Sequence, residues 1–266
     1  MSGLISGFMF AGMVFLLVER QPRNPSARIP ALAPLLSGFI ALGLCSYLFV
    51  LISGEDSGAC RRIWSATAVS SGMLAAGTVA AVGGIVLIIH AYFDQSAGNG
   101  ENAPALHNSR PDRLLRFTFL SVAYMSEILL LGRVGEALWV WLRLDRDWLA
   151  AAPAIIIAAI AVPFAWIAFS IFGSTRREKE PESPHIRSLN TAALVIMLYS
   201  TTGLSIIGTL LAVINGDWGK ADSWTAWLFV VPSFVVPSAA IWLLAKGVLG
   251  VLDSWSTPAG RQPAPA

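Results

Sequence analysis

Charge is scarce in this chain. Of 266 residues only 13% are Asp, Glu, Lys or Arg, where a water-soluble domain carries about 25%. A soluble globule is excluded, because too little polar surface exists to cover it. What charge there is nearly cancels, at a net of +2, and no run of Lys and Arg accumulates. That excludes nucleic acid as a partner, since a phosphate backbone is held by a basic patch. Cysteine is down to two residues, Cys45 inside an apolar run and Cys60 in a short loop. Cys45 lies several helical residues inside its run, so both are expected as structural thiols, with neither a bridge between them nor a metal-ligand spacing. Phosphate-binding loop, zinc-protease helix and nucleophile elbow are all missing. The stretch "LISGEDSG" at 51–58 sets serines beside glycines, but no histidine lies on that side to act as base.

What is present is apolar length. Hydrophobic residues make up 55% of the chain and the mean hydropathy is +0.65. A helix needs about 20 apolar residues to cross the hydrocarbon core. Seven stretches meet or approach that: 3–18, 31–53, 63–92, 114–142, 149–173, 189–214 and 225–252. Runs such as "APAIIIAAIAVPFAWIAFSIF" are apolar on every face, as lipid-embedded helices are. Barrel strands would alternate apolar and polar residues at every second position, and that alternation is absent. The expected fold is all-α: a polytopic seven-transmembrane-helix bundle forming one domain over 1–252, with 253–266 a disordered cytoplasmic tail. The small-residue run "GMLAAGTVAAVGG" at 72–84 reads as a surface for close helix approach.

Loop charges orient the spans. The connections after spans one, three and five hold ten Lys and Arg, among them Arg20, Arg23, Arg110, Arg176 and Lys179. Those after spans two, four and six hold five, among them Arg61, Arg143 and Lys220. The richer set belongs in the cytoplasm, which puts the N-terminus outside. Trp64, Trp139, Trp141, Trp148, Trp218, Trp224 and Trp227 gather on the opposite side, where an indole suits the headgroup layer. The first span has no charge before it and arginines after it, the reverse of a cleavable signal peptide, and reads as a retained helix. His90, His107 and His185 all fall at or beyond the cytoplasmic ends. None is left within the bundle for haem or a clustered metal site, and no cofactor or metal is expected.

Three ionisable residues interrupt the fourth span, in "YMSEILLLGRVGEALW": Glu127, Arg133 and Glu136. Arg133 and Glu136 stand three apart, share a helix face and can pair close to the outer interface. At 100° per residue Arg133 points about 120° away from Glu127, which is left near the midplane. A carboxylate there costs at least roughly 2.5–3.5 kcal/mol, so a protonated acid with hydrogen-bonding neighbours is expected. Depth counting along the other spans supplies candidates: Thr78, the run "YSTTG" with Tyr199, Ser200, Thr201 and Thr202, and Ser238 beside Pro237. Together with Glu127 these form the candidate binding layer. Hydroxyls in membrane helices also serve as simple packing contacts, at about 0.6 kcal/mol each.

Lys246, in the last span, is close enough to the helix end to snorkel to the headgroups. Seven spans, an outside N-terminus and a lysine in the last span resemble a microbial rhodopsin in topology. Such proteins place an acidic counterion in the third span, which here has no carboxylate, and "IWLLAKGVLG" has no acid one turn before the lysine. The resemblance stops at topology. Pro163, Pro232 and Pro237 lie within spans and remove backbone donors.

The functional expectation is an integral membrane protein without enzymatic activity, partnered by the lipid bilayer. It either passes or binds a small solute or ion at the Glu127 layer, or serves as a subunit of a larger membrane complex. The alternative is a membrane enzyme acting on a lipid or isoprenoid, with Glu127 as general acid. Usage rich in Ala, Gly and Arg, with no Asn-x-Ser/Thr acceptor, fits a bacterial inner membrane.

Overall fold

The computed structural model describes residues 7, 25–55, 60–98, 112–143, 184–213 and 223–256. These residues form five long helices and no strand: α1 (Pro25–Ser53), α2 (Cys60–Gly98), α3 (Asp112–Arg143), α4 (Pro184–Val213) and α5 (Ser223–Ser256). Each is long and apolar enough to cross a membrane. They correspond to spans two, three, four, six and seven. Span one (3–18), apart from Gly7, and span five (149–173) lie outside the described residues, as do the last ten residues of the expected tail. In lipid every backbone donor must be satisfied within its own segment, and a continuous helix does that.

The helices outrun their apolar cores. α2 has 39 residues, of which 30 make the apolar span; its last turns, "FDQSAG", are polar. Proline opens α1 and α4, at Pro25 and Pro184, where its missing N–H would have had no helical acceptor anyway. At the other end of α1 the Gly54 N–H donates to the Leu51 carbonyl at 3.1 Å and the Glu55 N–H to Ile52 at 3.2 Å, which closes the turn.

α2 is the hub. It packs against α1, α3, α4 and α5, while α1 also touches α4, α4 touches α5, and α5 touches α3. Accordingly 67% of its apolar window is buried, against 28% for α3 and for α4. Close approach depends on small residues. A Cβ on Gly77 would lie 3.1 Å from Ala41 Cβ and from Leu42 Cγ, and one on Gly84 would run into Leu35 and stand 3.2 Å from the Ala31 carbonyl. As numbers rise along α2 they fall along α1, so these two helices are antiparallel. Gly72 meets Ser233 and Pro237, and Gly83 meets Val248, so α2 and α5 run parallel. The bundle therefore has one end where α2 starts, the Cys60 end, and one where it finishes, the Gly98 end.

Ion pairs mark both ends. At the Cys60 end Arg62 reaches Glu55 at 3.0 Å with both side chains largely buried; at the Gly98 end Arg116 of α3 meets Asp253 of α5 at 2.6 Å. Lys246 is exposed, with its ammonium 5.7 Å from the centre of the Trp242 ring. Cys45 is a free, buried thiol that donates to the Ser70 carbonyl at 3.3 Å. Between the ends lies a core of Val79, Leu87, Phe119, Ile196, Ile241, Leu244 and Val248.

Candidate functional site

Glu127 stands halfway along α3, about 23 Å from either end at 1.5 Å per residue. Its side chain turns toward α5. There the Ser238 hydroxyl donates to Glu127 Oε2 at 2.9 Å, a bond between residues 111 positions apart in the chain. The other oxygen, Oε1, is buried with no hydrogen-bond partner among the described residues. A carboxyl group offers two oxygens, and here one is held by protein while one stays open. An open buried carboxyl oxygen costs on the order of 1–3 kcal/mol, more if charged, unless water or a solute occupies it.

A second polar cluster surrounds one turn of α2, residues 69–73. The Tyr199 hydroxyl of α4 donates to the Val69 carbonyl at 3.1 Å, and Cys45 of α1 donates to the next carbonyl, Ser70. Gly72 makes room for this. A Cβ there would collide with the Tyr199 hydroxyl and would lie 2.8 Å from both Pro237 Cγ and the Ser233 carbonyl oxygen of α5. That carbonyl is chemically distinctive. In a regular helix it would accept from the N–H of residue 237, which is a proline and has none. Beside it the Ser233 hydroxyl approaches Tyr199, yet makes no hydrogen bond of proper geometry to any described residue. Ser200 Oγ is likewise buried and without such a partner.

The candidate layer thus divides. Glu127 and Ser238 are bonded to one another, and Tyr199 reaches the α2–α5 crossing beside Pro237, the neighbour of Ser238. Ser200 is fully buried on the α4 stripe that carries Ile196 and Ile207. Thr201 and Thr202 are exposed, and the Thr201 hydroxyl returns to its own helix at the Met197 carbonyl, 2.8 Å away. Thr78 is half-buried on α2, six residues past Gly72. Gly72 was not among the sequence candidates. Its signal was present, as a glycine after two serines in "VSSGM". Ser233 was legible from the two prolines of "VVPSFVVPS", which can open a cavity near Ser233 and Ser238 or simply kink the helix.

Arg133 and Glu136 pair at 2.9 Å, about half exposed on the outer face of α3, away from Glu127. Among the described residues no three His, Cys, Asp or Glu side chains converge as a metal site would require. Comparison with known protein families, with curated proteins and with solved structures finds no match to this chain. The chemistry open to the site is hydrogen bonding and proton exchange at one carboxyl group, backed by hydroxyls from neighbouring helices.

Proposed function

We propose that this protein carries a small solute or ion across the cell membrane, coupled to protonation of Glu127. In this reading the chain is a single seven-span bundle over 1–252 in a bacterial inner membrane, with its N-terminus outside and its C-terminus in the cytoplasm. The observation that carries it is the half-satisfied carboxyl group: Ser238 holds Oε2 while buried Oε1 has no partner among the described residues. An acid that served only as packing would use both oxygens, because each unmade bond in a low-dielectric interior is expensive. Intramembrane acids mark solute and proton pathways by default. The Oε1 position suits a donor such as an amine, a hydroxyl or water. Thr78, Tyr199, Ser200 and Ser238 are the wider binding layer of this reading, with Ser238 and Tyr199 nearest its centre, while Thr201 and Thr202, exposed on α4, stand outside it.

The test is proton movement into proteoliposomes loaded with a pH-sensitive dye and driven by gradients of small amines, amino acids or sugars. Glu127→Gln should abolish solute-driven proton uptake while inserting normally, and Ser238→Ala should reduce it. Equal uptake by wild type and Glu127→Gln would reject the proposal.

A second reading has its own observation. The Arg133–Glu136 pair sits half exposed within an apolar span, and charges in membrane helices normally face protein or a water-filled cavity. A partner subunit covering that face would make the protein part of a larger membrane complex. Such a scaffold would tolerate Glu127→Gln yet fail when Gly77 or Gly84 is enlarged.

A further inference from the structure

Buried polarity is unevenly spread along α2. From the Cys60 end to the crossing, Arg62, Ser65, Thr67, Ser70 and Ser71 are all buried. Beyond Ser71 the buried residues of α2 are apolar or glycine as far as Leu87, with His90 the next polar one. Over that stretch its neighbours present Phe119, Leu244 and Val248, each fully buried. Gly83 lies under Phe119 and Val248, with no more than 3.3 Å from its Cβ position to either. Along α2, therefore, buried hydroxyls crowd the Cys60 half and hydrocarbon fills the stretch beyond it, while buried Ser37, His90 and Ser188 stand toward the Gly98 end.

Three buried oxygens with an unmade hydrogen bond, on Glu127, Ser200 and Ser233, lie on the turns near where these stretches meet. Ser200 Oγ and Ser233 Oγ, 0% and 1% exposed as residues, make no hydrogen bond of proper geometry among the described residues, with Ser233 approaching the Tyr199 hydroxyl. The Ser233 carbonyl has lost its helical donor to Pro237, and Glu127 Oε1 is open one helix away, beside Ser238. The hydroxyls of Thr67, Ser70 and Ser71 donate to carbonyls of their own helix, which leaves their lone pairs as acceptors. Buried polar atoms in native proteins find partners, in protein or in ordered water, and a water requires two to four polar neighbours. The Cys60 half of α2 offers them in series, at Ser65, Thr67, Ser70 and Ser71.

We propose that water enters from the Cys60 end along the polar side of α2 and is held at the crossing of Gly72, Tyr199 and Ser233, from which it reaches Glu127, while the Gly98 end is sealed. This deepens the transport reading by assigning the side from which Glu127 exchanges with solvent. It rests on Glu127 being the working group, but its test does not need Glu127 to be active.

The experiment uses the full chain in membranes, with Cys45→Ala and Cys60→Ala as background and single cysteines at Ser71, Ser233, Ala80 or Ala245. Silver ion, small enough for a single-file water path, is applied in chloride-free buffer to vesicles exposing either end. Unreacted thiols are then counted by the gel shift of a polymer-linked maleimide after unfolding. Ser71→Cys and Ser233→Cys should be blocked several-fold faster than Ala80→Cys or Ala245→Cys, and only in vesicles that expose the Cys60 end. Ser65→Cys replaces Ser71→Cys if the latter fails to run as a folded species in detergent. Equal rates at all positions, or faster block from the Gly98 end, would overturn the proposal. Adding Glu127→Gln should leave the rates unchanged, so a failed access path and a failed transport reading give different results.

Discussion

At the scale of single residues, the bond from Ser238 to Glu127 joins two helices through one hydroxyl. Hydrogen bonds between membrane helices contribute about 0.6 kcal/mol and reach about 1.7 kcal/mol. Ser238→Ala should lower stability within that range in a detergent unfolding titration. Thr201→Ala, on an exposed residue bonded only within its helix, should stay within about 0.5 kcal/mol of wild type. A larger loss at Thr201 than at Ser238 would contradict the packing described. The contrast was partly legible in the amino-acid sequence. Counting residues inward from the span ends set Glu127 and Ser238 level, and their side chains meet. The four hydroxyls of 199–202 could never have faced one point, since 100° per residue sweeps four neighbours across about 300°. Tyr199 and Ser200 turn inward, while Thr201 and Thr202 turn out.

At the scale of elements, hydropathy made the five described spans legible because a run of about 20 apolar residues has few other uses. It left their ends open. α2 continues to Gly98 through polar residues, where lipid no longer selects for apolar side chains. Which helices touch was hidden for a related reason: an all-round apolar helix has no periodic face to assign to a neighbour. Glycines fill that gap. Gly84→Leu should collide with Leu35 and the Ala31 carbonyl and cost about 1–3 kcal/mol or more, as overpacking does. Gly132, whose Cβ position is open, should accept leucine with little change. The same unfolding titration compares them, and equal losses would show that α1 and α2 do not approach at Gly84. Pro237 shapes α5 in turn. Pro237→Ala restores the N–H that the Ser233 carbonyl lacks, a bond worth about 1 kcal/mol, and should straighten α5. Spin labels near its two ends should move apart, and an unchanged distance would mean that Pro237 only fills space.

At the scale of the whole molecule, α2 organises four neighbours so that buried hydroxyls crowd the Cys60 half of its length and hydrocarbon packs the stretch from Met73 to Leu87. A bundle with two closed ends of similar composition would be simple packing, whereas this asymmetry brings an acid to the boundary between a polar and an apolar compartment. The claim on which that picture depends is that Glu127 lies deep in the membrane as a carboxyl group able to hold a proton. Dicyclohexylcarbodiimide, which partitions into lipid and adds to protonated carboxyl groups, tests it directly in native membranes, read by mass spectrometry of the labelled peptides. The expected result is a dominant adduct at Glu127, lost in Glu127→Gln and stronger than any at Asp253 by the bundle end. An unmodified Glu127, in membranes where Asp253 reacts, would contradict it.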